Sequence, residues 1–237
     1  VVKELVENAL DAGSTRIDIQ LEHGGKDLIR VSDNGCGIAP DELTLAVASH
    51  ATSKITHEED LAAIASLGFR GEAVASVGSV SHLRLTSRRQ EDESAMQIVV
   101  DGGTVTQPKP IAASVGTTVE VKRLFYNTPA RRKFLKSDGA ETTRVRDVVQ
   151  RLAASHHETS FTLKSGDRSI LSFNAGSSTE RLLDIFGGEL SGEMLELTGE
   201  IEGIRLWGLV GKPEVARPTS RYLRVHVNGR PVSDASI

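Results

Sequence analysis

Four groups of residues in this chain have types and spacings suited to chemistry. In the first, Glu4, Glu7, Asn8 and Asp11 recur at i, i+3, i+4 and i+7, so all four project from one face of a helix. Like charges at that spacing repel, and two readings stand: a solvated acidic face, or a face compensated by a cation. In the second reading Asn8 offers a neutral amide oxygen to Mg²⁺ and Glu4 holds a water. Magnesium keeps several waters and takes few protein oxygens, which suits so sparse a set.

The second group is Asp33-Asn34-Gly35-Cys36-Gly37-Ile38 at the end of a strand. Alternation puts Ile29, Val31 and Asp33 on one face, so the carboxylate sits at the rim of an apolar surface and needs a donor. The exocyclic amine of adenine is one such donor, with Gly35 and Gly37 letting the base approach the backbone. A simple Asp-Asn-Gly turn is the other reading. The third group, Gly68-Phe69-Arg70-Gly71-Glu72-Ala73, opens a helix, and unpaired amides there form either an anion site or an ordinary junction between helices. The fourth is Gly116-Thr117 at the start of a strand, where Thr117 can hydrogen-bond a ligand or simply favour the strand. No G-x-x-x-x-G-K-[ST] pattern occurs, so a nucleotide site here is not a P-loop.

Arg131, Arg132, Lys133 and Lys136 mix with Phe134 and Leu135. These residues read equally as a solvated helix start with its apolar side chains packed inward, or as contacts to DNA phosphates. Arg224 and Arg230 are further cationic candidates. Cys36 is the only cysteine, which excludes a disulfide within the chain and a cysteine-based zinc site, and it reads as a buried structural thiol. The seven histidines show no metal-binding spacing.

The elements that must hold these groups follow from periodicity. Val2, Leu5, Val6 and Ala9 predict a first helix stopped at Gly13. Residues 15–21 and 27–33 alternate as two strands of a hairpin turned at Gly24-Gly25. Pro40, Asp41 and Glu42 open a helix expected to run through Ala48, and residues 61–67 and 72–77 predict two more. From His82 to Val121 three or four strands are expected, with turns at residues 90–93, 102–103 and 108–110. These short turns make the sheet mainly antiparallel. A helix over 142–154 precedes strands near 161–163 and 169–173. A helix at 179–186 follows, then strands at 193–198, 205–210 and 223–227. The small, polar residues 174–178 suit a domain boundary.

Of the 237 residues, 38% are hydrophobic and 25% charged, as in an ordinary globular protein, and the formal net charge is −4. No run approaches the roughly 20 apolar residues of a membrane span. The chain opens without methionine in an already helical pattern and stops in strand-like sequence, so both ends are expected to be cut.

In the order Glu4…Asn8, Asp33-Asn34-Gly35-Cys36-Gly37, Gly68-Phe69-Arg70-Gly71-Glu72 and Gly116-Thr117, the four groups resemble the GHKL ATPases. That superfamily includes gyrase B, the ninety-kilodalton heat-shock chaperone, sensor histidine kinases and MutL. Residues 2–8, His50-Ala51-Thr52-Ser53-Lys54 and the stretch Phe125 to Leu135 are similar to characteristic segments of the MutL mismatch repair family. The resemblance covers essentially the whole chain.

It implies an α+β fold. Residues 1–176 would form a two-layer α/β sandwich on a mixed, mainly antiparallel sheet, and residues 177–237 the start of a second α/β domain of the ribosomal protein S5 domain 2 type. It also implies roles: Glu4 as general base, Asn8 on Mg²⁺, Asp33 on the adenine amine, and Thr117 positioning Asp33 and its bound water. Ala51, Thr52, Ser53, Lys54, Gly68, Phe69, Arg70 and Gly71 would form a lid over the phosphates of ATP. The implied function is a DNA mismatch repair ATPase, cytoplasmic and nucleoid-associated in a bacterium. Slow Mg-ATP hydrolysis would drive amino-terminal homodimerisation into a clamp on DNA, without sequence preference or a membrane. The implied partners are the mismatch-recognition protein MutS and a downstream nuclease or helicase.

Val74 stands where many relatives have leucine, which keeps the position apolar. An amino-terminal arm would precede Val1, and a lysine for the γ-phosphate would follow Ile237, so these residues are expected to bind ATP more readily than to hydrolyse it unaided. A type II topoisomerase subunit, a histidine kinase and a nucleotide-sensing scaffold are the alternative readings.

Overall fold

The structure is a computed structural model and describes residues 1–48, 73–216 and 223–232. It divides into two compact units, Val1–Val149 with Thr159–Ser172, and Gln150–Glu158 with Phe173–Ile237.

The first unit is a sheet with helices. Helix α1 (Val2–Asp11) is followed by strands β1 (Arg16–Glu22) and β2 (Leu28–Asp33), then the short helices α2 (Leu43–Ala46) and α3 (Ala73–Gly78). Five strands follow: β3 (His82–Arg88), β4 (Ala95–Asp101), β5 (Thr104–Val105), β6 (Lys109–Ile111) and β7 (Gly116–Lys122). The one-turn helix α4 (Pro129–Arg132), the long helix α5 (Asp138–Ser155) and strands β8 (Ser160–Ser165) and β9 (Arg168–Phe173) complete the sequence. The strand order is β5-β4-β3-β7-β2-β1-β8-β9, with β6 also paired to β4. The β1–β8 pair is parallel, whereas β1–β2, β2–β7, β3–β7, β3–β4, β4–β5 and β4–β6 are antiparallel. The sheet is mainly antiparallel, as the turn spacing predicts, and mixed, as the family resemblance implies.

Register explains the layering. Leu163, Ile19, Val31, Val119, Leu85 and Ile98 are successive cross-strand neighbours, and all six are buried. Full burial of such a side chain contributes about 1.5–3 kcal/mol, so this row fixes which face is covered. Helix α1 buries Val2, Leu5, Val6 and Ala9 and packs on β2. The opposite face carries Arg30, Glu120, Arg84 and Gln20, joined by Arg30 Nε to Glu120 Oε1 at 2.9 Å and Arg84 to Glu120 at 3.3 Å.

Some elements differ from the sequence expectation. The helix expected from Pro40 to Ala48 contracts to Leu43–Ala46, anchored by the buried Leu43 and Val47 and without a side-chain cap. One uncapped turn cannot propagate, because helix nucleation is costly. Of the turn expected at 108–110, Lys109 and Pro110 instead belong to edge strand β6, where Pro110 is tolerated because an edge strand has a free side. The helix expected at 142–154 begins earlier, at Asp138. The helix expected at 61–67 lies outside the described residues.

In the second unit, α6 (Ser178–Phe186) starts with a capping box. Ser177 Oγ accepts from the Glu180 amide at 3.2 Å, and the Ser177 amide donates to Glu180 Oε2 at 2.9 Å. Hairpins β10 (Met194–Ile201)–β11 (Ile204–Gly211) and β12 (Val225–Val227)–β13 (Arg230–Val232) follow; β13 has no counterpart among the sequence expectations. Arg181 is 1% exposed and donates to the carbonyls of Ala153, His156, His157 and Asn174 at 2.8–3.2 Å. It ties the start of α6 to the carboxyl end of α5.

Candidate functional site

A cavity of about 340 Å³ lies in the first unit against the apolar face of the sheet. Helix α1 contributes Glu4, Asn8 and Asp11 to it, strand β2 contributes Val31 and Asp33, and β3 and β7 contribute Leu85, Thr117 and Val119. The loop after β2 adds Cys36, Gly37 and Ile38, and the start of α3 adds Ala73 and Val74. All four sequence groups therefore contribute to one cavity, the third through Ala73. Of the third group, Gly68 to Gly71 lie outside the described residues, as do Ala51 to Lys54, although Ala73 behind them lines the wall.

The α1 face is narrower than its spacing suggests. Glu7 does not line the cavity: it is 4% exposed, and its carboxylate lies 3.4 Å from Lys3 Nζ. Glu7 projects about 60° around the helix from Glu4, enough for tertiary packing to cover one and not the other. Burial raises the Glu7 pKa above the usual carboxylate range, with nearby Lys3 opposing. Glu4, its side chain 46% exposed, stays half-open to solvent.

Asp33 has the most constrained geometry. Its Oδ1 accepts from the Gly35 amide at 2.8 Å, Ser14 Oγ at 3.2 Å and the Thr117 amide at 3.3 Å. All three donors converge on one oxygen, and among the described residues none donates to Oδ2. Burial raises the Asp33 pKa, while the bonds from Gly35, Thr117 and Ser14 oppose that shift. The result is a carboxylate held in one orientation beside Val31, Leu85 and Val119, with a second oxygen able to accept from a flat, apolar ligand that carries an amine.

Residues that the sequence reading passed over complete this network. Ser87 Oγ accepts from the Ile38 amide at 2.9 Å and stands 2.8 Å from Thr117 Oγ1, where either hydroxyl can donate. A signal for it existed: Leu83, Leu85 and Ser87 alternate on one buried face, so Ser87 is a polar residue where the pattern calls for an apolar one. Ser14 has no comparable signal. Asn34 leaves the cavity and binds the start of β1, accepting from the Thr15 and Arg16 amides at 3.0 and 2.8 Å.

The glycines serve the protein backbone. A Cβ at Gly35 would lie 2.8 Å from the Ala12 carbonyl oxygen, and one at Gly37, where φ is +76°, would collide with the Arg88 carbonyl. They let the loop pack on α1 and β3, and Gly37 also lines the cavity. Cys36, expected to be buried, is exposed and lines the cavity, because its amide is held by the Ala12 carbonyl at 3.0 Å while its side chain turns outward.

Among the described residues no group of three or more His, Cys, Asp or Glu is placed to hold a metal. Asn8 and Glu4 both line the cavity, and an amide oxygen beside a carboxylate is a donor set that suits a cation keeping most of its water, as Mg²⁺ does. Arg131, Arg132, Lys133 and Lys136 are exposed at and after α4, apart from the cavity lining. Phe134 among them is 82% exposed, against the one of the two readings in which the apolar side chains pack inward. Arg230 lies on β13, and Arg224 immediately precedes β12, both in the second unit.

Comparison with known proteins places the chain in a family. Residues 1–122 match the family described as histidine kinase-, DNA gyrase B- and HSP90-like ATPase, and residues 182–237 match the DNA mismatch repair protein, C-terminal domain. The DNA mismatch repair protein MutL of Bartonella bacilliformis is 48% identical over 239 residues, covering 99% of this chain and 39% of that protein. MutL of Azorhizobium caulinodans is 49% identical, covering 98% of this chain and 38% of that protein. The chain thus spans well under half the length of these relatives. Among solved structures, the Aquifex aeolicus MutL ATPase domain complexed with ADP superposes with a TM-score of 0.75 at 33% identity, over 99% of this chain and 82% of that one. The N-terminal domain of a DNA repair protein gives a TM-score of 0.80 at 28% identity, over 99% of this chain and 74% of that one. With a gyrase B- and HSP90-like ATPase match over its first half and MutL relatives along its length, the chain belongs to the MutL family of DNA mismatch repair proteins and carries that family's ATPase domain.

Proposed function

We propose that the cavity binds ATP with Mg²⁺ and that the intact protein hydrolyses it to ADP and phosphate. The observation that carries this reading is Asp33, saturated on Oδ1 and oriented beside an apolar wall. The adenine amine donates to Oδ2, Val31, Leu85 and Val119 flank the ring, and the Thr117 amide fixes the carboxylate. The ADP complex of the Aquifex MutL domain supports the choice of nucleotide. Asn8 would hold Mg²⁺ through its amide oxygen, and the ion would neutralise charge on the phosphates.

Glu4 acts as general base. It orients a water and takes its proton as the oxygen attacks the γ-phosphorus; the bond to the β–γ bridging oxygen breaks, and ADP leaves with that electron pair. Ala51, Thr52, Ser53 and Lys54, with Gly68, Phe69, Arg70 and Gly71, form the lid in this reading. Their closure excludes water other than the nucleophile.

The wider function follows the family. In a cytoplasmic mismatch repair protein, ATP binding drives amino-terminal homodimerisation into a clamp on DNA and couples MutS to a downstream nuclease or helicase. The catalytic domain extends to about residue 176, a second domain begins at 177, and Arg131, Arg132, Lys133, Lys136 and Arg230 contact DNA phosphates. In the intact protein, Glu4→Ala is expected to lower steady-state ATP turnover by about 100-fold or more while ADP affinity stays within about threefold. Unchanged turnover would remove Glu4 from the mechanism.

A further inference from the structure

We propose that Phe134 is a base-stacking residue that makes the α4 segment prefer single-stranded over duplex DNA. This rests on the DNA-contact reading of the neighbouring cations and adds a contact that phosphate binding does not require. Phe134 is 82% exposed, and between Ala112 and Met194 it is the sole exposed large hydrophobic among the described residues. Along the sequence it stands among cations rather than in a run of exposed apolar residues. Its sequence neighbours Arg131, Arg132, Lys133 and Lys136 are all exposed, and none forms a salt bridge among the described residues.

One flat aromatic face in a run with four exposed cations matches a ligand that repeats negative charge and presents open π faces. A single strand offers both. A duplex offers the charge but hides its base faces, and an acidic peptide offers charge without a ring for every cation pair.

The platform is also preorganised. Phe134 closes a helical turn through its amide to the Arg131 carbonyl at 3.1 Å. Upstream, Tyr126 Oη donates to Asp101 at 2.7 Å, Asn127 Nδ2 donates to the Ser79 carbonyl at 2.9 Å, and Leu124 is buried. A base that stacks on an already ordered segment loses less to conformational entropy.

The test uses the intact protein with fluorescent oligodeoxynucleotides, single-stranded and duplex, over a range of salt concentrations. Phe134→Leu keeps the apolar volume and removes the aromatic face. It is expected to weaken single-strand binding by about 5- to 30-fold, to change duplex binding by less than about twofold, and to leave the slope of log affinity against log salt unchanged. Phe134→Trp is expected to retain single-strand binding and to show indole quenching with single strands alone. Paired charge reversal, Arg132→Glu with Lys133→Glu, is expected to weaken both substrates and flatten the salt slope. If that reversal has its effect while Phe134→Leu binds both DNAs normally, stacking is overturned and the phosphate reading survives. If neither variant changes binding, both fall. If Phe134→Leu spares DNA but lowers nucleotide-dependent dimerisation, the residue belongs to a protein interface and the proposal is overturned.

Discussion

At the residue scale, Asp33 shows how a fold can make a carboxylate selective. Burial pushes its pKa above the ordinary value of 3.8. An amine that donates to it favours the ionised form, so adenine-nucleotide affinity should fall as pH drops through the raised pKa of the free protein. Titration calorimetry across that range tests this: affinity of the wild type should decline at a higher pH than an ordinary aspartate would produce, and Asp33→Asn should lose that dependence. Cys36 provides a second probe. It is exposed and lines the cavity, so ADP should slow its alkylation by iodoacetamide several-fold, read as the mass of the peptide that contains it. Equal alkylation rates with and without ADP would place the nucleotide elsewhere.

At the element scale, the site depends on how closely the loop after β2 packs on its neighbours. Gly37→Ala adds a Cβ against the Arg88 carbonyl at positive φ, and should lower stability by about 2 kcal/mol or more in urea denaturation. Ser87→Ala removes the hydroxyl between the Ile38 amide and Thr117, at a cost of about 1–3 kcal/mol, and should also weaken nucleotide binding. Glu7 behaves oppositely. Burial holds its folded-state pKa above the ordinary value of 4.5, so its charge destabilises the fold above that raised pKa and the penalty disappears as pH falls toward 4.5. Glu7→Gln should therefore be more stable than the wild type at pH 7, and the gain should vanish near pH 4. A gain that persisted at low pH would mean the effect is not electrostatic.

At the scale of the whole molecule, the second unit has its own point of dependence. Arg181 satisfies four carbonyls from the end of α5 and the segment before α6, and its guanidinium lies 5.4 Å from the Phe173 ring centre. Arg181→Met would leave those carbonyls without a charged donor. The expected result is a loss of about 3 kcal/mol in that unit, seen as faster amide exchange in α6 and the last turn of α5. Unaltered exchange would show that water substitutes for the guanidinium.

Much of this was legible before any coordinates. The 3.6-residue period of α1 placed Glu4 and Asn8 on one side, and strand alternation put Asp33 at the end of an apolar row. Both follow from local geometry, which every residue type in those segments supports. Three things were decided only by tertiary structure. Glu7 left the acidic face because packing covers one edge of a helical stripe and spares the other. Cys36 turned outward because the Ala12 carbonyl fixes its backbone. Strand β7 inserted between β2 and β3, bringing Thr117 to Asp33 and Ser87 to Thr117, and pairing across some 85 residues has no local signature. Periodicity encodes which side of an element is apolar, whereas the partner of that side is set by the summed contacts of the whole sheet.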